Sequence, residues 1–125
     1  METGILTEGK RPELIIEAIE KVVNPKGYEG IRANVDEYET PSKLQRKDDS
    51  AFIPDITGVK AGRKSYFEVA VKTDVVQEAI TKWKLLSSLA RMHNGKLYLI
   101  APKGHYTFTM KLVKDHSISA TIVRM

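Results

Sequence analysis

The sequence predicts a mixed α/β domain, a sheet flanked by helices, and three observations predict it. Residues 12–23 and 75–93 carry apolar side chains at three- and four-residue steps, the pattern of amphipathic helices. Between them, residues 64–73 (KSYFEVAVKT) alternate with a two-residue period and are rich in aromatic and β-branched side chains, as strands are. Residues 96–101 form a short, nearly continuous apolar run of the kind found in strands buried on both faces.

Taken in order, the first helix opens with Pro12, whose missing N–H would have no partner in a first turn. Its stripe is Leu14, Ile15, Ala18, Ile19 and Val22, and Asn24-Pro25-Lys26-Gly27 stops it. Residues 28–40 suit a half-exposed strand broken near Asp36, and the polar, basic residues 41–50 suit a surface loop. Residues 51–59 read as a strand that is an edge or begins near Pro54, and Lys60-Ala61-Gly62-Arg63 makes a hairpin turn to the strand at 64–73. The second helix has Asp74 as N-cap with Gln77 as the return half of a capping box. Val76, Ala79, Ile80, Trp83, Leu86 and Ala90 form its buried stripe, which makes Trp83 a core residue. Residues 105–115 fit either a strand or a helix, and residues 117–124 close the chain as a strand.

With 125 residues the chain forms one domain, 1–125, with room for one packed core. Hydrophobic residues at 42% and charged residues at 29% exclude a disordered chain. No apolar run approaches the ~18–20 residues of a membrane span, and the N-terminal METGILTEGKRPE has no basic-then-apolar leader pattern. The absence of cysteine rules out disulfides, a thiol nucleophile and cysteine-ligated metals. A soluble, cytoplasmic domain is expected. The net charge of +4 points weakly to polyanions. Three basic groups stand out: Lys43, Arg46 and Lys47; Lys60, Arg63 and Lys64; Lys82 and Lys84. Each reads as a solvated face or as a contact for phosphates.

His93, His105 and His116 lack a nucleophile elbow nearby and read as surface residues, and no glycine loop matches a phosphate-binding motif. The constellation that holds together is a pair of carboxylates. Asp55 and Glu68 flank a tight turn, so a hairpin brings them to neighbouring strands. Like charges so placed repel unless a cation lies between them, and a hard divalent ion with oxygen ligands is the simplest such cation. The same spacing also suits two solvated residues on an exposed sheet face.

Pro54-Asp55, then Glu68 thirteen positions later on an aromatic and β-branched strand with a lysine close behind, resembles the PD-(D/E)XK nuclease superfamily. That superfamily includes restriction endonucleases and Holliday-junction resolvases. Its core of a helix, three strands, a helix and a strand is similar in order to residues 12–101, and residues 101–125 look like the extra helix and strand of its small members. The resemblance implies a restriction-endonuclease-like fold and a nuclease that hydrolyses phosphodiesters, DNA foremost, with Mg²⁺ or Mn²⁺. It makes Asp55 and Glu68 metal ligands and catalytic residues. The motif lysine belongs two residues after the glutamate, where this chain has Ala70. Lys72, on the same face of an extended strand, is the replacement expected, with Lys82 the next candidate. Setting Ala70-Val71-Lys72 on the motif instead keeps the lysine and passes the acid's role to Glu78.

Glu17 resembles the acidic residue that superfamily members project toward the metal from the first helix, though Glu17 and Lys21 also make an ordinary i,i+4 pair. Gln77 is similar to a helix glutamine of exonuclease relatives, but the tyrosine expected four residues on is Thr81. Lys43, Arg46, Lys47, Lys82 and Lys84 are the expected nucleic-acid contacts. A homodimer is expected because one small domain grips little duplex. The alternative function is a nuclease-fold module without catalysis that binds nucleic acid or protein, and Ala70 keeps that alternative open.

Overall fold

The computed structural model describes residues 10–45 and 51–125. A five-stranded mixed sheet runs in the order β1 (Glu29–Ala33), β4 (Ile56–Lys60), β5 (Arg63–Val69), β6 (Leu97–Ala101) and β7 (Thr121–Arg124). The first three strands are antiparallel neighbours, and β5, β6 and β7 are parallel. A separate two-stranded ribbon pairs β2 (Leu44–Gln45) with β3 (Ala51–Phe52). The helices are α1 (Arg11–Ala18), α2 (Val76–Met92) and α3 (Tyr106–Asp115). This is the mixed sheet flanked by helices that the sequence predicts. Among the described residues no helix is long and apolar enough to cross a membrane.

Helix α1 begins with Pro near its first position and widens into a π-helical segment, Ile19–Val23, before a short 3₁₀ turn at Asn24–Lys26. Pro25 has no N–H to extend the ladder, and Gly27, at φ +86°, supplies the left-handed residue that ends it. Ile15, Ile19 and Val23 pack on one sheet face against Ile56, Phe67, Val69 and Ile100. The other face carries Tyr66, Ala70, Leu97 and Leu99 and is covered by Ile80, Trp83 and Leu86 of α2 and Leu112 of α3. The two-residue period of β5 thus sends Phe67 and Val69 to α1 and Tyr66 to α2.

Residues 105–115, which fit two patterns in the sequence, form a helix, because β6 and β7 are parallel and a crossover must join them. Several boundaries differ from expectation. Pro54 cannot donate to a ladder, so residues 51–59 divide into β3 and β4, and β4 starts at Ile56. β1 stops at Ala33, well short of 40, and β7 starts at Thr121 rather than near 117. β5 ends at Val69 rather than Thr73. The capping box at Asp74 and Gln77 does not form: the N-cap is Val75, without a side-chain cap. Thr73 Oγ1 accepts from the Val75 N–H instead, at 3.1 Å. Trp83 is a core residue, as its stripe requires.

The β4–β5 hairpin pairs Ile56 with Phe67 and Lys60 with Arg63. Ala61 and Gly62 both take positive φ, 52° and 75°, the turn whose twist matches that of flanking strands. Gly95 serves close approach rather than conformation. A Cβ there would sit 1.8 Å from the Lys64 carbonyl oxygen, so the entry into β6 can lie against β5 only with glycine at this point.

Candidate active site

Asp55 immediately precedes β4 and Glu68 stands one residue before the end of β5, so the hairpin register brings them together. Both are buried. Asp55 Oδ2 accepts from the Val69 N–H at 2.9 Å, and the Asp55 N–H donates to Glu68 Oε2 at 2.7 Å. Two hydrogen bonds therefore tie the acids' side chains to each other's strands. The reading of two solvated residues on an exposed face is excluded by this burial.

Each carboxylate has its own cation. Lys82 Nζ, on α2, lies 3.1 Å from Glu68 Oε1. Arg11 Nη1, at the start of α1, lies 2.8 Å from Asp55 Oδ2 and donates to the Val69 carbonyl oxygen at 3.0 Å. Burial, first, and then the neighbouring Asp55 charge push the Glu68 carboxyl up to about 7, against the opposing pull of Lys82, Arg11 and the Asp55 N–H. Burial works against the Lys82 ammonium, but the charges of Glu68 and Asp55 outweigh it, so its pKa is raised and it keeps its proton. Arg11, Glu68 and Lys82 line a cleft of about 410 Å³, together with Phe52, Lys72 and Glu78 among others.

The lysine paired with Glu68 is Lys82, while Lys72 lines the same cleft. β5 ends at Val69, so strand alternation no longer aims the Lys72 side chain along the Glu68 face. Lys72 is exposed on the cleft wall, its backbone N–H donating to His105 Nδ1 at 2.9 Å. Ala70, the position of the motif lysine, is fully buried against α2, so a lysine there would drive an ammonium into the core. A lysine on α2 reaches the same carboxylate from above the sheet. Lys82 is part-buried, and its head group is engaged by Glu68 rather than presented on an exposed face.

Glu17 does not join the carboxylates. It is half-exposed on α1, and Lys21 Nζ donates to its Oε2 at 2.8 Å. Lys43 and Lys84 are exposed, while Arg46 and Lys47 lie outside the described residues. Glu78 lines the cleft, but the acids that pair with Arg11 and Lys82 are Asp55 and Glu68. His105 is buried rather than a surface residue: Nδ1 accepts a backbone bond, and burial, aided by the Lys72 charge, lowers its pKa.

Neither periodicity nor motif spacing points to Arg11, the Val69 carbonyl or Phe52. Phe52, on β3, sits with its ring centroid 6.0 Å from Lys82 Nζ. Only Pro12, marking where α1 begins, hints that Arg11 stands at a helix entrance. No family model matches the chain, and no curated protein matches it significantly.

Proposed function

We propose that Asp55, Glu68 and Lys82 form the centre of a metal-dependent nuclease of the PD-(D/E)XK kind, acting on nucleic-acid phosphodiesters and on DNA foremost. The observation that carries this reading is the meeting of two buried carboxylates and one ammonium beside an open cleft. Burying two acids side by side costs stability, and a catalytic centre is where such a cost is retained. Among the described residues no group of three or more His, Asp or Glu side chains gathers. The donors are instead two carboxylates and the Val69 carbonyl, all hard oxygens. That set suits Mg²⁺ or Mn²⁺, with water and substrate phosphate completing the shell.

Asp55, Glu68 and the Val69 carbonyl would hold the ion, which when bound would polarise a phosphate and lower the pKa of a water. Lys82 supplies a fixed positive charge at the same carboxylate, placed to orient the nucleophile and to stabilise charge that develops on the phosphate. Burial of Glu68 keeps that environment poorly solvated, which strengthens both effects. Metal-dependent cleavage across single strands, duplexes, nicked and branched DNA, and RNA tests the reading. Asp55→Asn is expected to abolish it while the fold persists, and the absence of cleavage on every substrate with either metal would overturn it.

One observation favours the second reading, a nuclease-fold module without catalysis. Arg11 Nη1 bridges two of the oxygens that an ion would use, so the guanidinium and the ion compete. Arg11→Ala is expected to raise Mn²⁺ affinity about tenfold, the equivalent of ~1.4 kcal/mol, read by calorimetry without substrate. Equal affinity in both proteins would show that Arg11 does not guard the site, and binding in neither would favour the module.

A further inference from the structure

A second polar concavity lies at the far end of β5 from the carboxylates. Arg63 opens that strand and Glu68 stands near its close, a separation of about 17 Å at ~3.3–3.4 Å per residue. The recess, about 240 Å³, is lined by Tyr28, Lys60, Arg63, Ser65, Lys96 and Tyr98 among others. Its cations come from separate parts of the chain: Lys60 ends β4, Arg63 begins β5, and Lys96 precedes β6. Lys26 joins them from the turn after α1, with Nζ 5.0 Å from the Tyr98 ring centroid.

Internal contacts hold this group in place. Lys60 Nζ stands 5.6 Å from the Tyr28 ring centroid and donates to the Lys26 carbonyl oxygen. The Tyr28 hydroxyl donates to Ser65 Oγ at 3.3 Å, and Ser65 Oγ also accepts from the Lys96 N–H at 3.0 Å. Some exposed basic side chains elsewhere find carboxylates, as in Lys21–Glu17, Arg32–Glu39 and Lys111–Asp115. Among the described residues no ion pair involves Lys26, Lys60, Arg63 or Lys96. Glu29 is the acid nearest to Tyr28 in the chain, and it does not line the recess. Four cations gathered around hydroxyl groups without a carboxylate make a site for an anion, and their spread over several elements suits a polyanion better than a single ion.

We propose that this recess binds the phosphate backbone of a nucleic acid, at a distance from the cleft of about five nucleotide steps of ~3.4 Å each. The choice of nucleic acid as the polyanion rests on the function proposed above; the anion site itself does not. Positive charge here grips backbone without reading bases, so binding is sequence-tolerant and steeply dependent on salt.

Fluorescence anisotropy of the full chain with labelled duplex DNA, without divalent metal and over a series of NaCl concentrations, tests this. The double variant Lys60→Glu/Arg63→Glu is expected to weaken binding at least about tenfold. Its slope of log K against log salt should flatten by about one for each phosphate that the recess no longer engages. Lys60→Gln/Arg63→Gln should give an intermediate effect, and circular dichroism melts establish that each variant is folded. Lys111→Gln, which lines neither the recess nor the cleft, should bind as wild type does.

Equal binding by wild type and the charge-reversed variant overturns the proposal, as does wild type that binds no DNA. So does recess-dependent binding to anionic phospholipid vesicles with none to DNA. Recess-dependent DNA binding without cleavage in any metal leaves this site standing and removes the nuclease. Cleavage that is indifferent to the recess does the reverse.

Discussion

Lys82→Ala is expected to lower the rate of the proposed metal-dependent cleavage by about 10²–10³, or ~3–4 kcal/mol of transition-state stabilisation, while Lys72→Ala is expected to leave it near wild type. The difference follows from position. Lys82 Nζ is 3.1 Å from Glu68 Oε1 and its side chain is 20% exposed, so its charge is held at the carboxylate. Lys72 is exposed and lies beyond the end of β5. Removing Lys82 leaves Glu68 buried without its cation, and the carboxyl answers by taking up a proton more readily. A thermal melt therefore accompanies the rate measurement, and Lys82→Arg, which keeps the charge, is expected to retain more activity than alanine. The reverse ranking of Lys72→Ala and Lys82→Ala would return the role to the strand.

The contribution of Glu68 to stability is expected to fall by roughly 3 kcal/mol as pH rises from the ordinary carboxylate range to neutrality, and Glu68→Gln is expected to lack that fall. The folded protein holds a proton on Glu68 up to about pH 7, whereas an unfolded glutamate releases it near 4.5. A carboxyl raised in this way contributes its full stability below the unfolded pKa. That stability is lost progressively as pH climbs to the folded pKa, and little changes above it. His105 acts with the opposite sign. Its lowered pKa means that the fold prefers the neutral ring, so stability is lost as pH falls below its ordinary value of 6.5. Both proteins contain His105, so the difference between their urea denaturation curves across the window isolates Glu68. A difference that grows in favour of wild type with rising pH would mean that Lys82 and Arg11 outweigh burial at this carboxyl.

What the sequence by itself determined is the part governed by short periods. Helical stripes at 12–23 and 75–93, the β-branched alternation in 64–73 and the glycine turn at Lys60–Arg63 set α1, α2 and the β4–β5 hairpin. Once that hairpin exists, Asp55 and Glu68 are neighbours by register, which is why the acid pair was legible. The rest of the site depends on contacts between residues far apart in the chain. Arg11 reaches Asp55 across 44 positions and Val69 across 58, and no local pattern encodes those distances. Lys82, rather than Lys72, pairs with Glu68 for a related reason. Strand alternation extrapolates past Val69 in the sequence, but the chain leaves the ladder there. Ala70 then packs beneath α2, and the helix becomes the element that overhangs Glu68. Asp74 is not the cap because α2 begins at Val76, one residue later than the pattern suggests, which makes Val75 the N-cap. Local propensity decides which elements form; the packing of α1 and α2 on opposite faces of one sheet decides which charges meet at its end.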